Sequence, residues 1–107
     1  MVDLIAVQNR VWANKIRQGF NVTDVQMELL LTYEELGELA TAHRKGLDDL
    51  DEEVVDVIFY MLGLAKILNV DLESAIERKL TKIESRTYKK QGNAHIRIDE
   101  AKGESHE

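Results

Sequence analysis

Residues 53–62 read Glu53-Val54-Val55-Asp56-Val57-Ile58-Phe59-Tyr60-Met61-Leu62, a helical run whose acids stand only at its start and at Asp56. A helix that is apolar nearly all round is a buried one. A carboxylate among residues that want burial needs a cation beside it, because a buried unpaired charge is costly. Asp56 therefore points to a bound metal ion. Positions three and four apart share a helix face, so Glu53 and Asp56 project together. Upstream, Glu34-Glu35-x-x-Glu38 repeats the arrangement, with Glu35 and Glu38 on one face and Glu34 one turn before Glu38. Two facing helices would gather these carboxylates around one space, where like charges raise one another's pKa unless cations or hydrogen bonds compensate. Hard oxygen donors, without cysteine or a suitably placed histidine, favour Mg2+ over zinc, with Mn2+ as a substitute.

Working outward, period and punctuation mark four helices. The first is expected from about Asp3 to Gln18, with Leu4, Val7, Val11, Trp12 and Ile16 on or near one face and Gly19 as its stop. Thr23 or Asp24 can cap the second, which carries Val25, Leu29, Leu30, Leu36 and Leu39 and ends at Gly46. Asp49 followed by Glu52 has the form of a capping box for the third, over about Leu50 to Leu68. Asp71 opens the fourth, with Leu72, Ala75, Ile76, Leu80 and Ile83 facing inward as far as about Lys89. Gly37 and Gly63 lie inside helices, where each costs about 1 kcal/mol relative to alanine; close helix approach is the expected compensation.

The pattern predicts an all-α fold, an antiparallel four-helix bundle over residues 1–90. Residues 91–107 read as a tail, mobile or ordered only by a partner subunit, although residues 95–99 alternate weakly like a strand. The third helix is too apolar for three neighbours to cover, so a homodimer is the least assembly expected.

At 107 residues the chain reads as one domain. The absence of cysteine and the 32% of charged residues fit a reduced, cytoplasmic setting. Its longest apolar stretches are broken by Asp56, Gly63 and Lys66, and residues 1–20 lack a signal-peptide pattern, so no membrane span is expected. The net charge of -6 argues against a general nucleic-acid binder. The charge is unevenly placed: residues 28–56 hold ten acidic and two basic side chains, whereas residues 77–90 hold six basic and two acidic. A metal-bound polyphosphate satisfies both segments, because divalent ions invert the local field of the acids and basic side chains meet the remaining phosphate oxygens.

With Glu34-Glu35-x-x-Glu38 and Glu53-x-x-Asp56 on consecutive helices, residues 23–88 resemble the all-α nucleoside triphosphate pyrophosphohydrolases, the MazG-like superfamily. The resemblance implies a helical dimer, or a tetramer built from dimers. It also implies Mg2+-dependent cleavage between the α and β phosphates of a (deoxy)nucleoside triphosphate, giving monophosphate and pyrophosphate, in nucleotide-pool housecleaning. Glu35, Glu38, Glu53 and Asp56 match the family's metal ligands, and Glu34 a position that orients or deprotonates the attacking water. Tyr60 matches a substrate-contacting position in some members. Lys79, Lys82 and Arg86 look like the basic pattern that faces the triphosphate, but Ile83 stands where several relatives have asparagine, which leaves sugar and base recognition open. The chemistry needs no nucleophilic serine or cysteine.

Plainer readings stand beside these. The acids could form a solvated face with intrahelical ion pairs, and Lys79, Lys82 and Arg86 could merely balance them. Tyr60 could be core; Trp12 could stack on a base or simply pack. His43, five residues after Glu38, is out of register for the Glu-x-x-His of a di-iron bundle, which disfavours a redox role. A catalytically silent module that binds nucleotide or a protein is the alternative to the hydrolase.

Overall fold

The computed structural model describes residues 1–92 and 94–98. They are mostly helical: α1 (Leu4–Gln18), α2 (Val25–Lys45), α3 (Leu50–Ile67) and α4 (Leu72–Glu84) precede the strands β1 (Tyr88–Gln91) and β2 (Ala94–Arg97). None of the described helices is long and apolar enough to cross a membrane.

Local chemistry explains most helix ends. The Asp3 carboxylate accepts from the Ile5 and Ala6 amides at 3.0 and 3.2 Å, and Asp24 accepts from the Met27 amide at 3.1 Å. Each cap satisfies amides that a first helical turn leaves open. Gly19 and Gly46 close α1 and α2 in the left-handed conformation, at φ 74° and 66°, where a side chain is strained. The capping box expected at Asp49 does not form. Its backbone sits at φ -94°, ψ 26° rather than extended, and no side-chain cap bond results. The neighbouring Asp51 carboxylate takes the Glu52 amide instead, at 2.8 Å.

The backbone separates into two compact units, Met1–Glu73 and Ser74–Glu107. In the first, α3 packs against both α1 and α2. Its buried apolar core is small, comprising Ala42 of α2 and Leu62, Leu64 and Ala65 of α3. Gln8 ties α1 to α3 by donating from Nε2 to the Leu62 carbonyl at 2.9 Å. The expected inner face of α1 is corrected in one respect: Ile16 is exposed, and the residues α1 buries are Gln8 and Lys15. They lie at i and i+7, on the same stripe as Leu4 and Val11, so polar side chains fill positions that periodicity assigns to apolar ones. On α2 the buried residues are Glu28 and Ala42, while Leu29, Leu30 and Leu36 are exposed. The apolar excess of α3 lies between Val54 and Met61, where Val54, Val55, Ile58, Phe59 and Met61 are all exposed. Gly63 admits a close approach, as expected; Gly37 meets nothing within 4 Å.

In the second unit the helix stops at Glu84, short of the expected Lys89, and residues 88–97 turn back as an antiparallel hairpin. Tyr88 pairs with Arg97 and Gln91 with Ala94, and the Ile98 amide extends the ladder to the Thr87 carbonyl at 2.8 Å. Gly92, at φ 63°, begins the turn. Ile76, Leu80 and Ile83, expected to face inward from α4, are exposed. The remainder of the expected tail, residue 93 and residues 99–107, lies outside the described residues.

Candidate metal centre and adjoining cleft

Because α2 and α3 pack on one another, the two acidic motifs meet. Carboxylate oxygens of Glu35 and Glu38 on α2 and of Glu53 on α3 lie within 4.8 Å of one another. Asp56 stands outside that group, yet its charge acts on both Glu35 and Glu53. Glu34 is exposed on α2.

The electrostatics are those of a site short of positive charge. Burial first, then the charges of Glu38, Asp56, Glu53 and Glu34, raises the Glu35 pKa above the ordinary 4.5. Glu53 is raised as well, by desolvation first and then by Asp49, Asp56, Glu38 and Glu52. One Glu53 oxygen, Oε1, is shut off from solvent and has no hydrogen-bond partner. A buried acceptor left without a donor is costly. A hard divalent cation suits this donor set: it takes carboxylate oxygens, relieves the repulsion and supplies the contact that Oε1 lacks. The residues present therefore fit Mg2+ or Mn2+.

Next to the acids, the first unit opens a cleft of about 890 Å³. Val7 and Val11 of α1, Phe20, Met27 and Phe59 give it an apolar wall, and Arg10 and Arg17 bring positive charge to its edge. Asp56 and Tyr60 line it too, so cleft and acids share residues on α3. Burial, followed by the charges of Glu35, Glu28, Glu34 and Glu38, raises the Tyr60 phenol above its ordinary 10.0. At neutral pH it therefore keeps its proton and can donate a hydrogen bond. Trp12 is half-buried and is not among the residues lining the cleft.

One charged pair has no signature in the sequence. Lys15 Nζ donates to Glu28 Oε2 at 2.7 Å in the interior, and Asn21 Nδ2 donates to Glu28 Oε1 at 3.0 Å. The Lys15 ammonium also lies 5.8 Å from the centre of the Tyr60 ring. A buried lysine is foreseen only when its counter-ion is known, and here the counter-ion sits on the next helix. The only trace in the sequence is register, since Lys15 falls on the stripe of Leu4, Gln8 and Val11.

Lys79 and Lys82 stand on α4, three residues apart, and Arg86 follows the end of that helix. All three belong to the second compact unit.

Residues 23–90 match the family model of the MazG nucleotide pyrophosphohydrolase domain. The chain is also similar to the nucleoside triphosphate pyrophosphohydrolase/pyrophosphatase MazG of Thermotoga maritima, at 33% identity over 86 residues. That alignment takes in 80% of this chain and 33% of the relative, so the chain spans about a third of that protein's length. No solved structure gives a significant match.

Proposed function

The chain belongs to the MazG nucleotide pyrophosphohydrolase domain family, and we propose from that premise that it is a Mg2+-dependent hydrolase of (deoxy)nucleoside triphosphates. The reaction read for it is cleavage between the α and β phosphates, releasing monophosphate and pyrophosphate, in the service of nucleotide-pool housecleaning. The observation that carries the reading is the convergence of Glu35, Glu38 and Glu53 oxygens within 4.8 Å, with Glu53 Oε1 buried and unpartnered. Such a cluster opposes folding unless it holds a cation.

Glu35, Glu38, Glu53 and Asp56 are the residues proposed to hold Mg2+, with Mn2+ as a substitute. The ion would supply charge neutralisation at the phosphates and a template for the bound substrate. The exposed Glu34 carboxylate would orient or deprotonate the attacking water. The nucleoside would occupy the cleft, which has room for a base and sugar between the apolar wall and Tyr60. The Tyr60 hydroxyl, held protonated, would donate to it. On the sequence pattern, Lys79, Lys82 and Arg86 are assigned to phosphate oxygens, where basic groups stabilise charge on the departing pyrophosphate.

The apolar face of α3 from Val54 to Met61 is the surface proposed to meet another copy of the chain, as a homodimer or a dimer of dimers. Exposed apolar side chains along about two turns of one helix are characteristic of an interface.

The deciding experiment incubates the purified protein with canonical and modified nucleoside triphosphates, with and without Mg2+, and identifies the products. Monophosphate with pyrophosphate, formed only with metal, supports the proposal. Diphosphate with phosphate would overturn the reaction assignment. Saturable nucleotide binding without turnover would favour a silent binding module.

A further inference from the structure

The proposed reaction makes no use of the most deeply buried charges among the described residues. Glu28 is fully buried and Lys15 nearly so, at 0% and 8% exposure. Their geometry is specified from three sides. Glu28 on α2 holds the ammonium at 2.7 Å, and Asn21 holds the other carboxylate oxygen while donating also to the Asp24 carbonyl at 2.8 Å. On α3, Gly63 makes room for the lysine stem: a Cβ there would stand 3.2 and 3.3 Å from Lys15 Cδ and Cε, and 3.6 Å from Glu28 Oε2. Gly63 lies one turn beyond Tyr60, whose ring centre is 5.8 Å from the same ammonium. Lysine over an aromatic face at this separation is attracted by the ring's negative face, and more strongly once desolvated. Tyr60, Asp56 and Lys15 all line the cleft, so the paired lysine and the ring it lies over border the space proposed for the nucleoside.

We infer that Lys15 is a positioning residue: fixed by Glu28 and seated against Gly63, its ammonium holds the ring of Tyr60 in the plane that the bound nucleoside meets. Nucleoside affinity then depends on a charge, paired with Glu28, that acts through the ring. The role rests on the hydrolase reading for its functional consequence, and on the packing of α1, α2 and α3 alone for its geometry.

The test neutralises both charges together in K15M/E28Q, which leaves no unpaired ion inside and keeps an oxygen for Asn21. The protein carries tyrosines labelled with carbon-13, and the Tyr60 signal is assigned with Y60F. Without nucleotide, the double substitution should shift the Tyr60 ring resonances and leave those of Tyr33 in place. In turnover, it should raise KM about tenfold while kcat changes less than about twofold, the size of a desolvated cation–ring contact. Placed on Y60L, the same pair of changes should move KM by no more than about twofold, because the ring through which Lys15 acts is gone. Equal, additive KM losses with and without the ring would overturn the inference, since Lys15 would then be touching nucleotide directly. Unmoved Tyr60 resonances would overturn it as well. Wild-type protein that neither binds nor cleaves any nucleotide would fail the hydrolase proposal instead, and the Tyr60 resonances would still decide the positioning role.

Discussion

Lys15 Nζ meets Glu28 Oε2 at 2.7 Å across α1 and α2, and Glu28 has no exposure to solvent. Two ions withdrawn from water hold together only through such geometry and additional hydrogen bonds, here from Asn21. Breaking the pair from one side is therefore a different perturbation from neutralising it.

Glu28→Ala strands the lysine charge and should lower the unfolding free energy by about 3–5 kcal/mol. K15M/E28Q should stay within about 2 kcal/mol of the parent protein, because no lone charge is left. Urea unfolding of the three proteins measures both, and equal losses in the two variants would show that the pair acts only through its packing volume.

Glu53→Ala and Glu38→Ala should each abolish the rise in Tm that Mg2+ produces in the parent protein, since a ligand that binds only the folded state stabilises it by mass action. Asp56→Asn should weaken that rise and eliminate most turnover. A full Mg2+-induced shift in Glu53→Ala, read by scanning calorimetry, would remove Glu53 from the metal site.

The acidic cluster also makes a prediction about pH. Glu35 and Glu53 have folded-state pKa values above the ordinary 4.5, so between those values the folded chain binds more protons than the unfolded one. Stability of the metal-free protein should then fall as pH rises from about 4.5 through the folded values, because linkage gives a negative slope there. E35Q/E53Q should flatten the fall, and Mg2+ should offset it at neutral pH. Unfolding curves from pH 4 to 8 with chelator present test the sign; a slope unchanged in E35Q/E53Q would place its origin elsewhere.

Two glycines separate backbone propensity from packing. At Gly37 nothing lies within 4 Å of an added Cβ, so Gly37→Ala should stabilise the helix by about 0.5–1 kcal/mol. Gly63→Ala gains the same propensity but drives a methyl to 3.2 Å from Lys15 Cδ, and overpacking of about 1–3 kcal/mol should outweigh it. A destabilising Gly37→Ala in the assembled protein would mean that another copy packs against that position.

Ile58→Glu places a charge on the exposed apolar face of α3 and should convert the proposed dimer to monomer, read by sedimentation. An assembly of unchanged mass would move the interface elsewhere.

The helices and the register of the acids were legible because both are local. Asp3, Asp24, Gly19 and Gly46 close neighbouring backbone groups whatever the rest of the chain does, and i, i+3 spacing puts Glu35 with Glu38, and Glu53 with Asp56, on any helix. Resemblance over residues 23–88 named the family, and the family match over residues 23–90 bears that out. Where a local signal competed with backbone geometry it failed, as at Asp49, whose non-extended ψ denies it the capping bond. The hairpin was only half visible: residues 95–99 alternated, but their partner strand at 88–91 began inside the helix that periodicity ran to about Lys89.

What depends on distance along the chain only, the sequence determined by itself: four helices, their ends to within a few residues, and two acidic pairs on helical faces. What depends on which helix lies against which, only the tertiary structure decided. It drew Glu53 rather than Asp56 into the tight oxygen group with Glu35 and Glu38, buried Lys15 where a leucine-like residue was due, and gave Gly63 a lysine stem to accommodate. A buried charge is tolerated only where its counter-ion arrives from another element, and no spacing within one helix records which element that will be.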